Sequence, residues 1–461
     1  MRGRMGDGPA SEGRGDEGWR EMGWRAAAVA AVLCTSVVGT SVVGTSAFAS
    51  EASSASPSSS YGFAPDVRPI VGATQPAEAR TLRFGGSYRS SLPRAATRYY
   101  RLELDADSNA YVSATAVPRT DDKLSLSDGL KVSVRTADGH SCSTQTARFG
   151  SSGSPQPITA SGARTTSPRT PLCTDGGTYY VVVERVGTAA SPAGDWDLEL
   201  TAVTEPGLRQ TGEAIAPRSW DSATPTPLTG EAHPLTGGSG FARAAFLGQG
   251  VWRTELSPGQ TLFYRVPVDW GQQLSAKAEL DPTSGDARGY TADALDLTLY
   301  NPVRATVEDA DRGYDGTRRA AALAPVPPVD YRNRYTGIPR VKGMRFAGSY
   351  FLTVHLSAAV ADDFGDGPFG LTLRVRIKGA AQDGPGYAGQ SVPGNLFQVG
   401  PRERAAGGEL GTGSGDNAMK ALAVSGIGAG TVLLAVLGVW TLTARRRAAV
   451  QMRARAQNPT A

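Results

Sequence analysis

Apolar and polar residues alternate along this chain in short runs. In "TRYYRLEL", residues 97–104, Tyr100, Leu102 and Leu104 share one face, and Arg101 and Glu103 share the other. Farther on, "TLFYRVPV" (261–268) sets Tyr264, Val266 and Val268 against Arg265 and Pro267. A period of two with one apolar face predicts half-buried strands. Pro267 has no N–H to give to a ladder, so its strand is expected to lie at an edge there. The likeness of the two runs continues beyond them. "AYVSATAV" (110–117) answers to "QLSAKAEL" (273–280), and "GLKVSVRT" (129–136) to "ALDLTLYN" (294–301). "GGTYYVVVERV" (176–186) then answers to "AGSYFLTVHLS" (347–357), and "DWDLELTAV" (195–203) to "PFGLTLRVRI" (368–377).

Five elements recurring in one order predict two homologous domains, at 66–204 and 235–378. Each has six to eight short strands, turn signals between them and no long amphipathic helix. The predicted fold class is therefore all-β: two tandem antiparallel β-sandwich domains, jelly-roll-like. A Pro/Thr/Gly linker is expected at 205–234, a disordered Ser-rich segment at 50–65 and a Gly-rich stalk at 379–420.

The two ends set an expected topology. A polar stretch ending at Arg25 precedes an apolar run closing on Ala47-Phe48-Ala49, the pattern of a signal peptide over 1–49. Residues 421–444 carry no charge, and about 24 residues at ~1.5 Å each suffice to cross ~30 Å of hydrocarbon. Three arginines at 445–447 follow, so the positive-inside rule places the basic tail, 445–461, in the cytoplasm. The expectation is a single-pass protein of the cell membrane with one C-terminal transmembrane helix and its body outside.

Charge and cysteine content narrow this picture. The formal net charge is +4; the tail alone carries five Arg and no acid, and the body between the termini is nearly neutral. That argues against nucleic acid as a partner, since phosphate neutralisation dominates such binding. With Cys34 removed in the signal peptide, Cys142 and Cys173 remain, outside the cell, and are expected to form a disulfide. Between them lies a Ser/Thr/Pro/Gly-rich stretch that reads as a floppy excursion held at its neck.

"GGSYRSSLPRAATRYYRLELDADSNAYVSATA" with "GGTYYVVVERVG" resembles the bacterial pre-peptidase C-terminal domain, and the second repeat resembles it too. The resemblance covers about half the chain through short structural motifs. It implies a β-sandwich appendage that binds and does not catalyse, although no peptidase domain precedes the repeats here.

No catalytic pattern accompanies the three histidines, His140, His233 and His355, so no enzyme activity is expected. "EDADRGYDG" spaces Asp309, Asp311 and Asp315 like the start of a calcium loop, but Ala320 stands where a bidentate Glu belongs. These three are candidate calcium ligands set against a plainer reading as solvated acidic turns. "VDYRNRYTGIPRVKGMRF" gathers Tyr331, Arg332, Arg334, Tyr335 and Arg340, a mixture suited to an anionic polymer or a protein. The plainer alternative is long side chains covering a sheet edge. The functional expectation is a non-enzymatic binding or scaffold module whose partner is an envelope protein or polysaccharide. The alternatives are an accessory to a secreted hydrolase or its substrate and, from another class, a divergent hydrolase.

Overall fold

The alternating runs do form strands. The computed structural model describes residues 61–408, apart from 167–171, 211, 213, 218, 227 and 284–287. The segments read as signal peptide, transmembrane helix and basic tail lie outside the described residues. Among the described residues no helix is long and apolar enough to cross a membrane.

The first repeat contains β1 (Arg68–Pro69), β2 (Arg80–Thr81), β3 (Ser87–Leu92), β4 (Thr97–Leu104) and β5 (Asn109–Val117). It continues with β6 (Gly129–Thr136), β7 (Ser141–Arg148), β8 (Ile158–Arg164), β9 (Gly177–Val186) and β10 (Trp196–Glu205). The second contains β11 (Ala232–Pro234), β12 (Ala245–Phe246), β13 (Gly250–Leu256), β14 (Thr261–Val268) and β15 (Gln273–Leu280). It ends with β16 (Thr291–Tyr300), β17 (Thr306–Tyr314), β18 (Arg319–Ala322), β19 (Gly348–Leu356) and β20 (Phe369–Lys378). Short helices α1 (Pro339–Gly343), α2 (Val360–Phe364) and α3 (Pro401–Gly408) complete the described chain.

The sheets run β1-β3-β10-β5-β8 and β2-β4-β9-β6-β7 in the first repeat, and β11-β13-β20-β15-β18 and β12-β14-β19-β16-β17 in the second. The orders are identical strand for strand. Pairing is antiparallel except for one short strand per sheet, which runs parallel to its neighbour. Tyr100 lies opposite Arg80 of β2, and Tyr264 opposite Ala245 of β12, so the two tyrosines are equivalent. Both are buried, and Tyr100 donates to Ser90 Oγ at 2.8 Å. Gly72 and Gly237 pass directly over these rings. A Cβ at Gly72 would stand 2.7 Å from the Tyr100 oxygen, and one at Gly237 2.8 Å from the Tyr264 ring.

Pro267 shows how β14 escapes the edge. Arg265 accepts from the Leu247 N–H, so by alternation the nitrogen of Pro267 faces the same side. There β12 has already ended opposite Arg265, and no ladder bond is lost.

Several expected segment boundaries change. Tyr61, placed by its sequence in a disordered segment, is buried. The stretch read as linker includes β11, and its Leu208 bridges to Tyr387 in the chain after β20, beside a Thr204–Val392 bridge from the end of β10. The stretch read as a stalk packs back as well: Phe397 and Val399 are buried, and Arg404 of α3 meets Asp269 at 2.7 Å. The Cys142–Cys173 bond is present, with Cα atoms 5.8 Å apart. The excursion that it closes is not floppy, because it holds most of β7 and all of β8. These two polar strands escape the apolar-alternation signal since side chains join them: Gln145 accepts from Ser161, and Ser143 from the Ala163 N–H.

Candidate functional site

Each sandwich has its own apolar core, but the sheets' outer faces decide the rest. On β10, Trp196, Leu198, Leu200 and Ala202 enter the core. Glu199 and Glu205 point the other way, yet both are fully buried. The cover is the outer face of β14, β16 and β19 with the loops beside it. Strand β5 is accordingly buried on both faces from Asn109 to Ala116.

Each buried carboxylate is met by an arginine of the second repeat. Arg304 comes within 3.4 Å of Glu199, which also accepts from the Tyr61 hydroxyl. Glu205 accepts from Arg334, from Tyr111 at 2.7 Å, Asn109 at 2.8 Å and Tyr387 at 2.9 Å. Burial alone would raise the Glu205 carboxyl, but the charge and hydrogen bonds of Arg334, with that of Tyr111, hold it below the usual range. A buried ion pair of this kind contributes modestly as a pair, while losing one partner costs several kcal/mol. Around it Tyr111 packs edge-on to Phe346, with Val303 and Phe397 completing an apolar patch.

The β7–β8 loop grips the same face. Ser151 donates its N–H to Asp293 at 2.7 Å, and Gln156 donates to Asp296 at 2.9 Å. Burial, followed by the charges of Asp293, Asp311 and Asp309, pushes the Asp296 carboxyl up to about 6 despite the Gln156 bond. His355 lies in β19, 2.9 Å from Ser154 and 2.9 Å from Thr261. Burial lowers its pKa to about 4, so the ring is neutral at ordinary pH. A serine beside a histidine invites a catalytic reading. Here Thr261 stands behind the ring where a carboxylate would orient it, Ser154 Oγ also accepts from the Ala358 N–H, and both residues are buried.

The expected sites are redistributed. Asp309 and Asp311 lie on strand β17, opposite Thr298 and Asp296. Asp315, beyond the strand end, is taken by Arg319 and Thr317. Among the described residues no group of three or more His, Cys, Asp or Glu could hold a metal ion. The aromatic–basic run is also dispersed. Arg334 turns inward to Glu205 and lies 3.4 Å above the Tyr331 ring. Arg332 is paired to Asp330 at 2.8 Å, and Arg340 sits on α1, its charge felt by Glu308. Two arginines of the run, Arg332 and Arg334, are thus committed to Asp330 and Glu205.

What remains at that place is a cleft of about 610 Å³. Its described lining lies outside the named strands, in four places along the chain: from Leu208 and Gln210 to Ser219 and Trp220, at Trp270 and Gly271, around Pro327 to Tyr335, and from Gln382 to Gly386. Trp220, Trp270, Tyr331 and Tyr335 line it together with Gln210, Asp330, Arg332, Gln382 and Asp383. The walls are braced. Asn333 donates to the carbonyls of Pro328 at 2.9 Å and Met344 at 2.8 Å, and Gln382 N–H reaches the Trp270 carbonyl at 2.9 Å. Trp220 is held through its neighbour: Asp221 pairs with Lys378 at 2.7 Å, and its carbonyl accepts from Gln273. Sequence reasoning found Tyr331 and Tyr335 but missed Trp220, Trp270, Gln382 and Asp383. A tryptophan inside a Pro/Ser/Thr linker was the available signal.

No protein-family model matches the chain, and no curated protein sequence does. Among solved structures, an arabinose-bound α-L-arabinofuranosidase matches at 12% identity over 23% of this chain and 17% of its own, with a TM-score of 0.16. Tripeptidyl peptidase 2 matches at 9% identity over 66% of this chain and 24% of its own, with a TM-score of 0.20. The tandem CBM22 domains of Paenibacillus barcinonensis Xyn10C match at 11% identity over 67% of this chain and 95% of theirs, with a TM-score of 0.17. The chain thus spans less than a quarter of the first two proteins. At these scores the likenesses carry no argument about fold or function.

Proposed function

We propose that this protein is a non-enzymatic binding and scaffold module of the cell envelope, anchored by its C-terminal apolar segment with its body outside. The observation that carries this reading is the braced aromatic–polar cleft. Its volume lies in the range of small-ligand and cofactor sites, and its aromatic lining surrounds a few placed polar groups. It sits on the second sandwich, whose seam with the first is fixed by buried ion pairs and aromatic contacts, so the site is presented on a rigid base. The resemblance to pre-peptidase C-terminal domains supports the same reading, since such domains are appendages that bind. The test is retention of the purified full-length chain, kept in detergent so that its apolar segment is masked, on envelope polymer stripped of lipid by detergent extraction. Wild-type chain and the remote variant Lys131→Ala are expected to be retained, and Trp220→Ala to be lost. Equal retention of all three, or of none, would overturn the proposal.

A further inference from the structure

We infer that the cleft takes a neutral, hydroxyl-rich glycan chain; the inference rests on the binding reading above and names its ligand class. Charge is the first argument. Among the described lining residues the one cation, Arg332, lies against Asp330 in a two-point contact at 2.8 and 3.2 Å. Arg334, behind the wall, is spent on Glu205. The remaining charge among the described lining residues is the exposed Asp383, so these residues carry a net acidic charge and their one cation is paired.

The second argument is the kind of polar group present. Gln210, Ser219 and Gln382 are exposed, neutral, and both donate and accept. Hydroxyl groups also do both, whereas a carboxylate or phosphate only accepts. The third is shape and chemistry together. Trp220 and Tyr335 are half-buried and Trp270 is buried, and all three line the cleft together with exposed polar residues. A pyranose likewise has an apolar C–H face with hydroxyls round its edge, and an aromatic body with wet polar surroundings matches it. A peptide laid down as an added strand needs an open strand edge. No lining residue belongs to a named strand, so the cleft offers no such edge.

The test is tryptophan-fluorescence titration and calorimetry of the full-length chain with cellohexaose and chitohexaose as neutral probes. Polygalacturonate serves as the polyanion and decaproline as the peptide. At least one neutral hexasaccharide is expected to bind, with an affinity little changed between low and high salt, because no ion pair is formed. Trp220→Ala is expected to weaken that binding about tenfold or more, and Trp220→Phe to restore part of it. Gln382→Ala, which leaves the aromatic floor in place, is expected to weaken it less. Should Trp220→Ala fail to fold, Gln382→Ala and Trp220→Phe still decide the question. The inference is overturned if neither hexasaccharide binds, if binding ignores these substitutions, or if polygalacturonate or decaproline binds in their place. Envelope retention that depends on Trp220 without hexasaccharide binding would sink this inference and leave the proposed function standing.

Discussion

The two sandwiches hold different chemistry at equivalent positions. In the first, Lys131 on β6 lies opposite Glu184 on β9, and the two pair at 2.8 Å on a partly solvated face. In the second, the same positions on β16 and β19 carry Asp296 and His355, opposite one another and pressed under the β7–β8 loop. One face meets water and uses an ordinary ion pair. The other meets a domain and holds groups whose charge is suppressed. Strands β10 and β20 repeat the contrast. Glu199 and Glu205 are buried at the seam, while their equivalents, Thr372 and Lys378, lie on a face where Asp221 pairs with Lys378 and the Leu228 carbonyl accepts from Arg374. Equivalent strands thus acquire different electrostatics according to what covers them, with no change in strand order.

The largest expected effect comes from breaking the seam. Arg334→Ala leaves the Glu205 charge buried without its arginine, and should lower unfolding stability by about 3–5 kcal/mol. Denaturant titration checks this, and a loss below about 1 kcal/mol would show that Glu205 reaches water. Next is the covalent staple, which the second sandwich lacks. Replacing Cys142 and Cys173 by Ser frees a loop of roughly 30 residues and should cost about 3–4 kcal/mol in the chain-entropy model. Hydrogen exchange should then quicken in β7 and β8 and stay unchanged in β17 and β18. Quickening in both repeats would break the comparison.

Titration of the buried pair gives a subtler effect. The Asp296 pKa is raised from 3.8 to about 6, so its burial cost is full above pH 6 and is relieved as pH falls toward 4. The His355 pKa is lowered from 6.5 to about 4, so its contribution is full above pH 6.5 and is lost as pH falls through the same window. The two slopes oppose one another, each worth about 3 kcal/mol across the window. Relative to wild type, Asp296→Asn should therefore lose stability as pH falls from 6.5 to 4, and His355→Gln should gain it. Parallel curves for the three proteins in urea would show that these groups are not buried together. The smallest effect belongs to the exposed counterpart. Lys131→Met should change stability by less than about 1 kcal/mol, and a larger loss would mean that this face is also covered.

Much of the fold was legible because a strand with one apolar face writes its period into the chain. The repeat in "TRYYRLEL" and "TLFYRVPV" led to Tyr100 and Tyr264 as equivalent core residues, and spacing with compartment led to the Cys142–Cys173 bond. Strands β7 and β8 were not legible, since β7 has no apolar face and is held through Gln145 and Ser143. The site was read least well. Tyr331 and Arg334 drew notice as surface groups, but Arg334 turned inward because a carboxylate 129 residues away was waiting for it.

The sequence by itself determined the strands with an apolar face, their order in two copies and the disulfide, because each depends on local alternation or on two side chains of one kind. Only the tertiary structure decided which polar faces are buried and where the cleft opens. Alternation marks the face that must avoid water. Nothing local marks whether the opposite face is covered by another domain, since Glu199, Glu205, Asp296 and His355 are written in the same polar letters as residues left in solvent, and their partners come from far along the chain.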